Sequence, residues 1–245
     1  MSLLLDERRQ AMLLEMGIRS FGLEPALAAV GEVQRPVAKP LAQPTALQAA
    51  DVGVGLMQWD ALAQTVSECR RCALCDGRRN TVFGAGDRQA DWLIVGEAPG
   101  ESEDLQGEPF VGQAGVLLDN MLKAIGLGRE RNVYVTNVLK CRPPGNRNPE
   151  PNEVAQCAPY LRRQVELLQP KIILAMGRFA VQALLSSNEP IGKLRGQVHR
   201  YNGVPVVVTY HPAYLLRNLP DKARAWADLC LALEVLEQPE SASAG

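Results

Sequence analysis

Four short apolar runs stand out between residues 91 and 209: DWLIV, NVYVT, KIILAM and VPVVVT. Each is too short for a buried helix and ends at Gly, Asn or a His-Pro turn, so each reads as a strand. Their nearly continuous apolar character predicts a sheet covered on both faces. Helical spacing fills the intervals, near 113–125, from about 151 to 168, at 178–185 and over roughly 219–236. Strands that alternate with helices predict parallel pairing with helices on either side. Ligands of such sheets sit at the carboxyl ends of the strands, which here read GEAPG, TNVLKC, MGR and TYHPAY.

Upstream, MQWDALAQTVSEC predicts a helix running into the first Cys pair. Residues 5–21 put Met12, Leu13, Met16 and Ile18 mostly on one helical face. The stretch that follows contains Pro25, Pro36, Pro40 and Pro44 without a sustained period, and reads as a linker. The expected organisation is an amphipathic helix over 1–22, a Pro/Ala-rich linker over 23–57, a folded domain over 58–236 and a polar tail over 237–245.

Composition narrows the class. The chain has 245 residues, 47% of them hydrophobic, and its 26 Lys+Arg nearly cancel 27 Asp+Glu. Disorder throughout is excluded by the apolar content, and nucleic-acid binding by bulk charge is excluded by the balance, although a local basic stripe stays open. No run approaches the ~18 apolar residues of a membrane span. The acidic start MSLLLDERRQ is unlike a secretory signal, so a cytoplasmic location is expected.

The six Cys carry the first candidate chemistry. Disulfides are not expected in a cytoplasmic chain, so clustered thiols point to a metal. Cys69 and Cys72 form a CxxC turn, and Cys141 and Cys157 have fifteen residues between them, RPPGNRNPEPNEVAQ. Four such thiolates suit zinc or an iron–sulfur cluster, and spacing alone does not choose between them. Cys75 is a spare thiol nearby, and Cys230, between Leu229 and Leu231, reads as core. Arg70, Arg71, Arg78, Arg79, Arg142, Arg147 and Lys140 surround these positions and predict a basic patch able to contact phosphates.

The strand-terminal loops carry the second. After Gly96 come Glu97, Glu101, Glu103 and Asp104, too many acids for a phosphate-binding loop. Carboxylates there suit orienting a water or balancing a developing positive charge, and Gly96, Ala98, Pro99 and Gly100 permit close ligand approach. Phe110 could stack a planar base or plug the core. Asn137 offers an amide that could pair with a base edge or close an Asx turn. His211 could donate to a leaving-group oxygen. Leu215 and Leu216 beside Arg217 resemble an unstacking wedge next to a cation, or the cap of the last helix.

Taken together, GEAPGESEDLQGEPFVG, TNVLKCRPPGNRNP with its later Cys, and TYHPAYLLRN resemble the family 4, iron–sulfur-containing uracil-DNA glycosylases over roughly residues 58–236. The resemblance implies an α/β fold, a three-layer αβα sandwich with a central four-stranded parallel sheet. It implies a structural 4Fe–4S cluster on Cys69, Cys72, Cys141 and Cys157, leaving Cys75 outside. Phe110 would stack on a flipped uracil in a loop that includes Gly96 and Ala98. Asn137 would read the Watson–Crick edge, and His211 would stabilise the oxygen of the departing uracil anion. Glu97 and Glu103 match the functional acids, with Glu103 expected to position the water and Asp104 its rival. Leu215 or Leu216, with Arg217, would fill the gap left in the DNA. The implied activity is excision of uracil from single- or double-stranded DNA during base excision repair. Ala213, where many relatives carry Ser, and the extension over residues 1–57 are departures.

A second resemblance covers RRQAMLLEMGIRSF, residues 8–21. It is similar to the N-terminal peptide with which the psi subunit of the bacterial replicative polymerase binds the clamp loader, matching at Arg8, Arg9, Leu13, Met16, Gly17, Ile18 and Phe21. This implies a clamp-loader or other replication partner through residues 5–21. The alternative function is then a psi-like subunit that uses a glycosylase fold as a binding module. A helix packed on the chain's own domain is the plainer reading of the segment.

Overall fold

The structure is a computed structural model and describes residues 53–237. The predicted helix over 1–22, nearly all of the linker, and residues 238–245 lie outside the described residues. Strands β2 (Trp92–Gly96), β3 (Val133–Asn137), β4 (Ile172–Met176) and β6 (Val204–Thr209) form the four parallel strands expected. The sheet is nevertheless six-stranded and mixed, in the order β1-β3-β2-β4-β6-β5. The additions are antiparallel edges, β1 (Ala85–Gly86) and β5 (Val198–Tyr201).

Both edges escaped the sequence pattern for physical reasons. β1 has only two residues, and VHRY in β5 alternates exposed and half-buried positions without an apolar run. One signal for β5 was present. Asn202 and Gly203 both take positive φ (48° and 85°), the tight hairpin turn that joins β5 to β6 and that an Asn-Gly pair favours.

Side chains of the parallel strands alternate between two cores. Leu93, Val95, Tyr134, Ile173, Ala175, Val206 and Val208 face α5 (Pro151–Leu168) and α6 (Arg178–Leu185). Trp92, Ile94, Val133, Val135, Leu174 and Val207 face α4 (Gln113–Ala124) and α9 (Lys222–Glu237). Three layers result. Ahead of the sheet, α1 (Trp59–Ser67) and α2 (Leu74–Gly77) flank the first thiols, Cys69 and Cys72, and α3 (Glu101–Gln106) follows β2. The packed domain also begins before residue 58, because Val54 is buried with Leu62, Val66 and Tyr160.

Strand β2 is central, with β3 on one side and β4 on the other, so the chain reverses direction across the sheet at its carboxyl end. Register aligns Gly96 with Asn137, Val95 with Ala175 and Met176 with Thr209. Loops after all four parallel strands therefore emerge along one edge, where open α/β sheets bind ligands.

Candidate active site

A cavity of about 900 Å³ opens at that edge. Glu97, Ala98, Phe110, Asn137, His211 and Arg217 all contribute to its wall, so residues from three separate motifs converge as expected. Gly96 makes the convergence possible. A Cβ there would lie 2.3 Å from Asn137 Oδ1 and 2.5 Å from Phe110 Cζ, a space no side chain could share.

Asn137 ends β3 and is buried, yet its Oδ1 has no hydrogen-bond partner. A buried acceptor left unmatched costs about 1–3 kcal/mol, which makes it a strong mark of a ligand position. Its backbone is fixed from behind by Lys140, whose Nζ donates to Asn137 O at 2.8 Å, Thr136 Oγ1 at 2.6 Å and Gln164 Oε1 at 2.7 Å. Burial pushes the Lys140 pKa down to about 7. Lys140 is thus an internal strut and no part of the basic patch expected for it. Of the other patch members, Arg142 is ion-paired with Glu101, and Arg147 with Glu150 and Glu153.

Phe110 sits in the loop before α4 with φ at 56°, the left-handed region that bulky side chains avoid. The loop is braced from two sides. Glu103 accepts hydrogen bonds from Val111 N, Gly112 N and Gly100 N, each at 3.0 Å. On the other side Arg129, in the loop before β3, donates to the carbonyls of Pro109 and Phe110. No motif marks Arg129. Its partners are backbone carbonyls nineteen and twenty residues away, and that kind of contact leaves no trace in a sequence.

His211 caps the short helix α8 (Pro212–Leu215). Ala213 N donates to His211 Nδ1 at 3.2 Å, so the proton of the neutral ring sits on Nε2 and makes that atom a donor. Burial pushes its pKa down to about 4, helped by the positive charge of Arg217 and opposed by Glu103. The imidazole packs at 5.5 Å from the Phe110 ring, 28° from parallel. The predicted wedge needs correction. Leu215 is buried, since it lies on the inner face of α8, whereas Leu216 is 41% exposed and Arg217 is exposed at the cavity rim.

The acids of the first loop divide by geometry. Glu97 lines the cavity, and its Oε1 accepts from Phe179 N at 3.1 Å. This contact needs Gly177, where a Cβ would come within 2.4 Å of that oxygen. Burial pushes the Glu97 pKa up, and the Phe179 and Arg178 amides oppose the rise. Asp104 is buried away from the cavity, where it accepts from Arg79 N at 3.0 Å. Glu103 has both oxygens committed to backbone amides. Of the two acids expected to position the water, Asp104 lies outside the cavity wall, whereas Glu103 lies in it with both oxygens on loop amides and Glu97 lines it with Oε1 on one amide.

Cys69, Cys72, Cys75, Cys141 and Cys157 all line one narrow gap between the α1–α2 segment, the end of β3 and α5. Arg78 Nη1 donates to Cys141 Sγ at 3.1 Å. Burial pushes the thiols of Cys72 and Cys141 up, and that of Cys157 to about 12. Among the described residues, no three His, Cys, Asp or Glu side chains are gathered closely enough to hold a single metal ion. Cys230 is half-buried on α9.

A family model described as the uracil DNA glycosylase superfamily matches residues 83–230. A type-4 uracil-DNA glycosylase of Saccharolobus solfataricus is 45% identical over 170 residues, covering 66% of this chain and 78% of that protein. Its counterpart in Archaeoglobus fulgidus is 46% identical over 165 residues, with 64% and 82% covered. The Thermotoga maritima type-4 enzyme is 40% identical over 184 residues, with 74% and 93% covered. The matched span holds β2 to β6 and every cavity residue described above, so this chain belongs to the uracil DNA glycosylase superfamily, among its type-4 members.

Proposed function

We propose that this chain is a DNA repair enzyme that hydrolyses the N-glycosidic bond between uracil and deoxyribose. The observation that carries the reading is the buried, unmatched Oδ1 of Asn137 beside the Phe110 ring, in a cavity whose other wall holds His211. Uracil offers an N3–H that satisfies this acceptor and an adjacent carbonyl that takes the amide N–H. Cytosine presents an unprotonated N3 and an amino group, the reverse pattern. It would leave the Asn137 oxygen unmatched.

A base cannot be reached inside a duplex, so the nucleotide is extruded, at a cost of a few kcal/mol in stacking and pairing. Phe110 offsets part of that cost by stacking. Leu216 is the exposed apolar group that takes the space left in the helix, and Arg217 beside it suits a flanking phosphate. When C1′–N1 breaks, the electron pair goes to the base and positive charge grows on the sugar. His211 donates from Nε2 to the base oxygen that takes up negative charge, and with its pKa near 4 it does so as a neutral ring at physiological pH. Glu97 balances the sugar, orients the water that adds to C1′ and accepts its proton.

The cysteine gap fits an iron–sulfur cluster. Five soft donors face one space and, among the described residues, do not gather on a single ion, which suits a multi-iron group. Cys69, Cys72, Cys141 and Cys157 would hold it, with Cys75 outside. Its contribution when bound is structural, tying the α1–α2 segment to β3 and α5. Residues 5–21 form the docking arm in this reading, supported by the psi-like motif, with a clamp-loader component as partner. The site of action is the cytoplasm, at the nucleoid. Among the described residues no helix is long and apolar enough to cross a membrane. A psi-like binding module alone would leave the open acceptor on Asn137 and the cavity-lining Glu97 and His211 without a purpose.

The test is excision from a uracil-containing oligonucleotide, read as alkali-dependent strand breaks, on protein purified without oxygen and assayed for iron and sulfide. Wild type should cleave at uracil only, His211→Ala should slow about 10²–10³-fold as for a lost oxyanion donor, and Asn137→Asp should lose its preference for uracil over cytosine. Equal breakage of uracil-containing and control strands would overturn the reading.

A further inference from the structure

Phe110 is a bulky residue held in a conformation that it disfavours, and the group that holds it is one the reaction itself does not use. The guanidinium of Arg129 reaches from the loop before β3 into the turn before α4. Its Nη1 donates to Pro109 O at 2.8 Å, and its Nη2 donates to Phe110 O and, at 3.4 Å, to Gly115 O. Its Nε is anchored on the Asp119 carboxylate of α4. Gly115 is shaped to the same arrangement, since a Cβ there would fall 1.6 Å from Phe110 O and 3.1 Å from Arg129 Nη2. Glu103 meanwhile captures the amides on the following side, at Val111 and Gly112. The peptide groups before and after the aromatic ring are therefore gripped by opposite charges, carbonyls by a cation and amides by an anion.

We propose that Arg129 is a positioning residue for base recognition: by bridging the Pro109 and Phe110 carbonyls to Asp119, it holds Phe110 in its left-handed conformation with the ring against Asn137 and His211. The inference rests on the functional reading above and extends it to a residue that touches neither base nor sugar. Only a planar guanidinium has donors in the fork this geometry uses. A lysine ammonium reaches one carbonyl and leaves the other unmatched. Displacing a stacking ring by an ångström is enough to cost about 10²-fold in rate.

The experiment is a double-mutant cycle between Arg129 and Phe110, with Arg129→Met, Arg129→Lys, Phe110→Ala and the Arg129→Met/Phe110→Ala pair, all as full-length protein. Arg129→Met should lower kcat for uracil excision about 10–100-fold and weaken inhibition by free uracil. It should leave affinity for uracil-free DNA unchanged, and Arg129→Lys should recover part of kcat. The pair should be no slower than Phe110→Ala, because a residue acting through Phe110 has nothing left to act on. Hydrogen exchange of the amides over 108–113 should accelerate in Arg129→Met, a readout independent of catalysis. Additive losses in the pair, unchanged kcat with only a lower Tm, or unchanged exchange over 108–113 would each overturn the assignment. Wild-type protein that leaves uracil in DNA would defeat the functional reading instead, and the exchange measurement would still judge the loop.

Discussion

The base cavity and the cysteine gap hang from the same short stretch of chain, Asn137 and Cys141 at the end of β3, yet opposite means hold them. The cavity walls are braced by the protein's own ionic and amide groups: Glu103 on three backbone amides, Arg129 on two carbonyls, Lys140 behind Asn137. Asn137 Oδ1, an atom that would meet a ligand, is left over. The gap instead gathers soft donors around one space, with Arg78 hydrogen-bonded to one of them. A recognition site has to be rigid before its ligand arrives. A thiol site becomes rigid through the group that it binds.

The largest effect that would test this contrast is at the gap. Cys157→Ser, or stripping iron with a chelator, should lower Tm by about 10 °C or more, as loss of several kcal/mol does in a domain of this size, and should abolish bound iron. Cavity variants should keep their iron. Retained stability in Cys157→Ser would show that the gap holds itself together.

Next in size is Gly96→Ala. The added methyl strikes both Asn137 and Phe110, so excision should fall about 10²-fold or more, with iron content unchanged. A variant of normal activity would mean that those two side chains do not share the space beside Gly96 during catalysis.

Paired variants of the acids sharpen the comparison within the cavity itself. Glu103→Gln weakens three amide contacts and should lose about 2–3 kcal/mol, read by denaturant melts. Glu97→Gln should keep wild-type stability or gain slightly, because a buried carboxylate with a raised pKa is replaced by a neutral amide, while kcat collapses. The reverse outcome would return the water to Glu103.

The smallest effect is on pH dependence. His211 has its pKa lowered to about 4 in the folded protein against an ordinary value near 6.5. Between those values the unfolded chain binds more protons, so stability declines as pH falls through 6.5 toward 4 and is complete above 6.5. His211→Asn should flatten that slope. In kcat profiles no limb should fall near pH 6.5, and the acidic limb belongs to Glu97, displaced above the usual carboxylate range. An activity limb at 6.5 that vanishes in His211→Asn would mean the imidazole titrates normally.

Helices over 151–168 and 178–185 were legible to the residue because their ends are written locally. Pro151 and the Glu150–Glu153 capping box start one, and Gly177 precedes the other. The parallel strands were equally plain, being apolar runs buried on both faces. The edge strands were not, since an edge needs only half a pattern and β5 is defined by its turn and its partner. Asn137 and His211 were readable because each is an unusual residue type at or just past a strand end, and Phe110 because it is an aromatic residue in a loop. Arg129 was not, because the loop it braces is gripped through backbone carbonyls, and neither was the role of Lys140, whose burial depends on Gln164 of α5.

What local periodicity, caps and residue chemistry determined, then, were the four parallel strands, the edge at which their loops gather, and the kinds of side chain displayed there. Which side of each loop faces the cavity was decided in three dimensions. Glu97 and Glu103 line it while Asp104 turns to the amide of Arg79, and Leu216 is exposed while Leu215 packs inward. Helices as short as the six residues of α3 and the four of α8 carry no period that separates inside from outside. The burial of each depends on segments that meet only when the sheet has closed.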